Sequence, residues 1–255
     1  GLVGSEMCIR DSTETAVRNL KTEGFRNIVN EGRLIPEDLA QQAHRSAGPL
    51  VANVGDVMLD VARHAGQQLD AEPRRKTDLL AKYKLHARQY VLATIHRASN
   101  TDDGNNLRNI LEAMKAIVTG GLRVLFPVHP RTRKALEKFD LLGMLDAEGL
   151  VVSDPVSYME MIALESEARL VLTDSGGVQK EAYFFGVPCV VAREQTEWTE
   201  LVEIGWNRLA GAETARIVAA VEAALQNDLA GSARMDFYGD GRAAARIAAI
   251  LGQWK

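Results

Sequence analysis

The feature that most constrains this chain is an alternation. Short, almost wholly apolar runs recur between segments whose apolar residues fall at helical spacing. Gln89 to Thr94, Leu122 to Val128, Leu150 to Val152, Arg169 to Thr173 and Val187 to Ala192 read as strands. Between them, Leu107 to Val118 places Ile110, Met114 and Ile117 on one helical face. Arg131 to Phe139, Tyr158 to Glu165, Gly177 to Phe185 and Thr214 to Gln226 continue the helical series. Strands without polar alternation are buried on both faces, and helical connections suit parallel pairing. The expected fold is α/β, a doubly wound, Rossmann-like parallel sheet. Upstream, Thr13 to Leu20 reads as a helix with a Thr cap, Pro49 to Val54 as a strand and Asp56 to His64 as a helix. A charged helix is expected around Asp78 to Lys84, and a last one over Gly241 to Leu251.

A chain of 255 residues, 46% hydrophobic and 25% charged, can bury a proper core. Its net charge of −4 and scattered basic residues argue against a nucleic-acid partner. The densest basic cluster, Arg74-Arg75-Lys76, reads as a solvated helix start. Cys8 and Cys189 allow no disulfide framework or CxxC pair, so a reducing, cytoplasmic setting is expected. Cys189, inside an apolar run, reads as a buried core thiol. His and Cys show no compact metal-ligand spacing, and no apolar run nears the ~20 residues of a bilayer span, so neither a metal nor a membrane partner is expected. Gly1 to Ser12 has no signal-peptide core and no periodicity, and is set aside as a non-native leader or assembly scar.

In a doubly wound sheet, ligands bind beyond the carboxyl ends of the strands. Three such ends carry polar residues. After Leu170-Val171-Leu172 comes Thr173-Asp174-Ser175-Gly176-Gly177-Val178-Gln179-Lys180-Glu181. Gly176 and Gly177 permit close backbone approach, the start of the next helix suits a phosphate, and Ser175 adds a hydroxyl. Glu181, one turn on and about 6 Å along the axis, is placed to accept from a ribose. A capped helix after a tight turn fits these residues equally well. The second end, Thr94-Ile95-His96-Arg97, offers a cationic fork for phosphate and an imidazole for proton transfer; loop polarity and a helix cap are the alternative. At the third, Val128-His129-Pro130-Arg131-Thr132-Arg133, a helix entry with solvated arginines is favoured. Trp198, among acids after Val187 to Ala192, either packs on a sugar or base or roofs the core.

Taken in order, these segments resemble the non-hydrolysing UDP-N-acetylglucosamine 2-epimerases from about Thr13 to the C-terminus. The resemblance rests on Thr-Glu-Thr-Ala-Val-Arg-Asn-Leu at 13–20, Val-Gly-Asp-Val-Met-Leu-Asp at 54–60, His-Arg at 96–97 and Pro-Val-His-Pro at 127–130. Thr-Asp-Ser-Gly-Gly-Val-Gln-Lys-Glu-Ala at 173–182, Gly-Val-Pro-Cys-Val at 186–190, Thr-Glu-Trp at 196–198 and Tyr-Gly-Asp-Gly at 238–241 complete it. It implies one lobe of a glycosyltransferase-B architecture and an isomerase that needs no cofactor. UDP is eliminated from the UDP-sugar to leave a 2-acetamidoglucal, then re-added after the C2 face is exchanged, converting UDP-GlcNAc to UDP-ManNAc. It also implies that His96 is catalytic at the diphosphate-sugar with Arg97 beside it. Ser175, Gly176 and Gly177 hold the phosphates, Glu181 binds the ribose, and Pro155 to Tyr158 border the uracil. The full-length family is implied to be homodimeric.

Four regions are expected. Residues 1–12 are the leader, 13–47 a remnant helix and connection from an absent N-terminal lobe, 48–238 the UDP-binding lobe, and 239–255 a helix crossing to that absent lobe. The absent lobe carries the family's C2 proton-moving carboxylates and basic diphosphate clamps, so this chain is expected to bind UDP with little epimerisation. Lys180 in place of a common Glu, and Trp198 in place of a phosphate-contacting Arg, resemble the subgroup acting on UDP-2,3-diacetamido-2,3-dideoxyglucuronate. No allosteric second-substrate signature is evident around Pro130 to Thr132. A glycosyltransferase-B sugar transferase and a non-catalytic nucleotide-sugar binding lobe remain the alternative readings.

Overall fold

The computed structural model describes residues 7–8, 14–36, 38, 50–226 and 235–252. The chain divides into two compact units, Gly1–His64 with Arg234–Lys255, and Ala65–Ala233.

The smaller unit is built on a parallel sheet of β1 (Met7–Cys8), β2 (Ile28–Leu34) and β3 (Leu50–Asn53), in the order β1-β3-β2. Helix α1 (Glu14–Thr22) buries Val17 and Leu20 against Val51. Its expected Thr13 cap lies outside the described residues, as do 1–6 and 9–12 of the expected leader and nearly all of 37–49. Met7 and Cys8, set aside from the fold on sequence grounds, instead pair with Leu50 and Val51. β2 carries no apolar alternation, and its Asn30 and Glu31 take positive φ where the register with β3 shifts. That irregularity hid it from a periodicity argument. Among the described residues β3 pairs with β1 and β2.

Helix α2 (Val57–Ala71) runs past the expected end at His64, through Gly66, because no proline intervenes before Pro73, where α3 (Pro73–Lys82) begins. The larger unit then holds a six-stranded parallel sheet of β4 (Tyr90–Thr94), β5 (Arg123–Pro127), β6 (Leu150–Ser153), β7 (Leu170–Thr173), β8 (Cys189–Val191) and β9 (Asn207–Leu209). Their order is β6-β5-β4-β7-β8-β9, which in this unit's own numbering is 3-2-1-4-5-6, the Rossmann order.

Period-two alternation divides the strand side chains between two cores. Val91, Ala93, Val124, Phe126, Leu170, Leu172 and Val190 face α5 (Gly104–Thr119), α6 (Pro130–Lys138) and α10 (Thr214–Gln226). Tyr90, Leu92, Leu125, Val171, Cys189 and Val191 face the other side, against α7 (Tyr158–Glu167), α8 (Gly176–Phe184), α3 and the end of α2. Two short helices, α4 (Ala98–Thr101) and α9 (Thr199–Glu203), follow β4 and β8. Local signals set the helix starts. Asp103 caps α5 by accepting from the Asn105 and Asn106 N–H groups at 2.8 and 3.2 Å. Ser157 and Glu160 form a reciprocal capping box on α7. Back in the smaller unit, α11 (Ala243–Leu251) starts where the Asp60 carboxylate accepts from the Ala243 and Ala244 N–H groups, and it packs Ile250 with Ile35, Ala52 and Val54. Among the described residues no helix is long and apolar enough to cross a membrane.

Candidate functional site

β4 and β7 are neighbours whose chains depart in opposite directions, β5 lying on one side and β8 on the other. This reversal of strand order opens a crevice at their carboxyl ends. The two strands end in register at Thr94 and Thr173, whose hydroxyls lie 2.6 Å apart. One residue beyond, the buried Asp174 carboxylate binds the two loops together. It accepts from the backbone N–H of His96 at 3.0 Å and of Arg97 at 2.9 Å, and from the Asn100 side-chain amide at 2.9 Å. The same amide donates to the Ala192 carbonyl, tying in the end of β8. Sequence reasoning gave Asp174 no role, because its donors lie 74 to 78 positions away and meet it only once β4 and β7 pair.

Ser175 is the N-cap of α8, and its side chain makes no capping bond. The helix begins at Gly176, one residue before the expected start, so the N–H groups of the glycine pair open the first turn without intrahelical partners. A Cβ on Gly176 would sit 3.4 Å from Arg97 Nη2, 3.5 Å from Glu197 Oε2 and 3.5 Å from Trp198 Nε1. Arg97 is held near this turn by its backbone bond to Asp174, yet its guanidinium makes no hydrogen bond among the described residues and meets Glu197 at only 3.8 Å. Arg193 binds Glu197 in a bidentate pair at 2.8 and 2.9 Å, which holds that carboxyl down to about 2. Trp198 packs on the start of α8: its Nε1 donates to the Gly176 carbonyl at 2.8 Å and Lys180 Nζ lies 4.2 Å over its ring. Gln179, buried in α8, anchors the same loop by accepting from Thr196 Oγ1 at 2.7 Å. Beside Arg97 a cavity of ≈ 600 Å³ is bordered by Asn100, Asn106, Arg193, Gln195 and Arg216.

One turn along α8, Glu181 is buried, and burial raises its carboxyl above the ordinary value against the lowering influence of Tyr158 and Lys180. Tyr158, exposed at the start of α7, turns its hydroxyl toward Glu181, and burial and that carboxylate raise the phenol. The expected ribose and uracil residues therefore face each other across α7 and α8.

His96 sits on the other side of the crevice with Nδ1 3.7 Å from Asp174 Oδ1 and its ring centroid 5.3 Å from that of His129. Burial lowers its pKa, and His129, Arg97 and Arg131 add to this while Asp174 opposes it, so the ring is mainly neutral at pH 7. A neutral imidazole can accept a proton or donate one hydrogen bond. His129, not singled out from the sequence, caps α6 by accepting from the Arg131 N–H. Arg131 donates to both Asp102 oxygens at 2.8 and 2.9 Å and to Thr101, and Arg133 pairs with Asp154 at 3.2 Å. Among the described residues no cluster of His, Cys, Asp and Glu could hold a metal ion.

The family model described as UDP-N-acetylglucosamine 2-epimerase matches residues 12–252. A UDP-N-acetylglucosamine 2-epimerase homolog of Methanococcus maripaludis is 42% identical over 81% of this chain and 50% of its own length. The UDP-2,3-diacetamido-2,3-dideoxy-D-glucuronate 2-epimerase of Pseudomonas aeruginosa is 41% identical over 94% of this chain and 58% of its own length. Among solved structures, the Methanocaldococcus jannaschii UDP-GlcNAc 2-epimerase in complex with UDP-GlcNAc and UDP matches with a TM-score of 0.77 and 32% identity, over 95% of this chain and 60% of that one. The chain thus spans between half and three-fifths of the length of these relatives. It belongs to the UDP-N-acetylglucosamine 2-epimerase family.

Proposed function

We propose that this chain holds the uridine diphosphate of a UDP-sugar for a non-hydrolysing 2-epimerase, an isomerase that converts UDP-GlcNAc to UDP-ManNAc. The observation that carries this reading is the pair of loops at the sheet reversal. Asp174 fixes their backbones while the Ser175 hydroxyl, the first N–H groups of α8 and the Arg97 guanidinium stay available for an anion. In this reading the diphosphate rests on Gly176 and Gly177, and Glu181 accepts from the ribose. Tyr158 borders the uracil, and the sugar lies toward His96. Loss of the C2 proton and breakage of the C1–O bond release UDP as the leaving group. UDP then re-adds at C1 while C2 regains a proton on its other face. The neutral His96 ring suits a proton-handling group beside the departing diphosphate. A cytoplasmic homodimer is the assembly that goes with this reading.

A second substrate is favoured by one specific observation. Lys180 stacks on Trp198 at the phosphate turn, and the P. aeruginosa 2-epimerase for UDP-2,3-diacetamido-2,3-dideoxy-D-glucuronate matches over 94% of the chain. Calorimetric titration of UDP into the chain and its Ser175→Ala and Glu181→Ala variants tests the first reading. Saturable binding weakened by both changes is expected; binding unaffected by either would reject it. Competition between UDP-GlcNAc and the diacetamido-uronate then ranks the two sugars.

A further inference from the structure

Glu165 is an anomaly. It lies within α7 with no exposed surface, and neither carboxyl oxygen has a hydrogen-bond partner among the described residues. A buried polar group without a partner is destabilising by about 1–3 kcal/mol, so its presence calls for a physical reason. Its neighbours do not supply one. The Tyr90 hydroxyl donates to the Leu164 carbonyl at 2.5 Å. Cys189, across the sheet core, is a thiol driven further from ionisation by burial and by Glu165 itself. Both lysines on α3 are engaged elsewhere, Lys76 with Asp70 and Glu167, and Lys82 with Glu160. No counter-charge faces Glu165, and burial together with the nearby Glu181 raises its carboxyl well above the ordinary value. In its protonated form it has one O–H to donate.

The direction of that donor follows from the helix. Glu165 is seven residues after Tyr158, so both lie on one face of α7, and that helix packs on α8. Tyr158 already turns toward Glu181 from this face, and the Glu181 charge is felt at Glu165. Tyr158 and Glu165 thus share the face of α7 from which a donor could reach Glu181.

We propose that Glu165 is a positioning residue for Glu181: it donates a hydrogen bond to the Glu181 carboxylate when ribose hydroxyls engage that carboxylate, fixing the direction in which it faces. Two carboxyl groups in one buried site hold a single negative charge between them, and a neutral acid that donates to its neighbour stabilises that charge. The inference rests on the proposed ribose role of Glu181.

The test compares titrations of UDP and 2′-deoxy-UDP into the wild-type chain and into Glu165→Met, Glu165→Gln and Glu181→Gln. The wild type is expected to prefer UDP by about tenfold, the value of one ribose hydroxyl bonded to a charged acceptor. Glu165→Met, which replaces an unpaired buried acid with an apolar chain of similar length, folds and loses most of that preference. Glu165→Gln keeps a donor and keeps the preference to within threefold, a rescue that a packing role would not produce. A folded Glu165→Met with the full preference overturns the proposal, as does Glu165→Gln losing the preference to the same extent as Met. Failure of the ribose reading looks different: Glu181→Gln then retains the wild-type preference, or the wild type shows none.

Discussion

Two strand ends on the same sheet make opposite use of the same residue types. After β5, His129 caps α6, Arg131 is bidentate on Asp102, and Arg133 is paired with Asp154. After β4 and β7, the internal carboxylate Asp174 binds backbone N–H groups, and Arg97 keeps its guanidinium donors. Ser175 likewise occupies a cap position without making the cap bond. Where the chain builds structure it pairs its cations internally. At the proposed anion site it fixes the backbone and leaves cation, hydroxyl and helix N–H groups turned outward. Counting His and Arg at a strand end does not separate these cases; their partners do.

The largest test of this contrast is Asp174→Ala. It strips a buried acceptor from two backbone N–H groups and an amide, and is expected to lower stability by about 3 kcal/mol or more and to abolish UDP binding. Urea unfolding followed by circular dichroism reads the first effect; a variant as stable as wild type would break the hub argument. Arg97→Ala leaves stability unchanged within about 0.5 kcal/mol and weakens UDP binding on the order of 10- to 100-fold, as the loss of a charged donor to phosphate implies. Ser175→Ala loses a neutral donor and should weaken UDP binding by about threefold to tenfold. Arg131→Ala completes the comparison. Its exposed pair with Asp102 contributes about 0–1 kcal/mol, and UDP binding should stay within twofold of wild type by calorimetry.

A stability titration sharpens the account of the buried acids. Glu165 and Glu181 are both raised in the folded state, so that state holds protons which the unfolded chain releases. Their contribution is most favourable below the ordinary carboxylate value and is lost as pH rises from there through the raised values. Glu165→Met should flatten this decline, measured as melting temperature against pH. An unchanged slope would show that Glu165 does not carry the proton.

Much of this arrangement was legible in the sequence, for a physical reason. Strands buried on both faces are written as apolar runs, so β4, β5, β6, β7 and β8 declared themselves, and Thr173 to Glu181 announced a turn into a helix. β9 did not, because Asn207-Arg208-Leu209 is short and polar. Trp198 carried two open readings until its indole N–H met the Gly176 carbonyl, placing it over α8. Asp174 and Glu165 were opaque for the same reason as each other. The hub acts on donors that only the β4–β7 pairing brings near, and the buried acid looks from the sequence like the polar end of an amphipathic helix. Neither motif nor period encodes which side chain lacks a partner.

The most direct test of the central claim is a crystal structure of this chain with UDP. The account predicts the diphosphate on the N–H groups of Gly176 and Gly177 with Arg97 and the Ser175 hydroxyl in hydrogen-bond contact, and the ribose on Glu181. A diphosphate bound instead at Arg131 and Arg133, or a ribose turned away from Glu181, would contradict it.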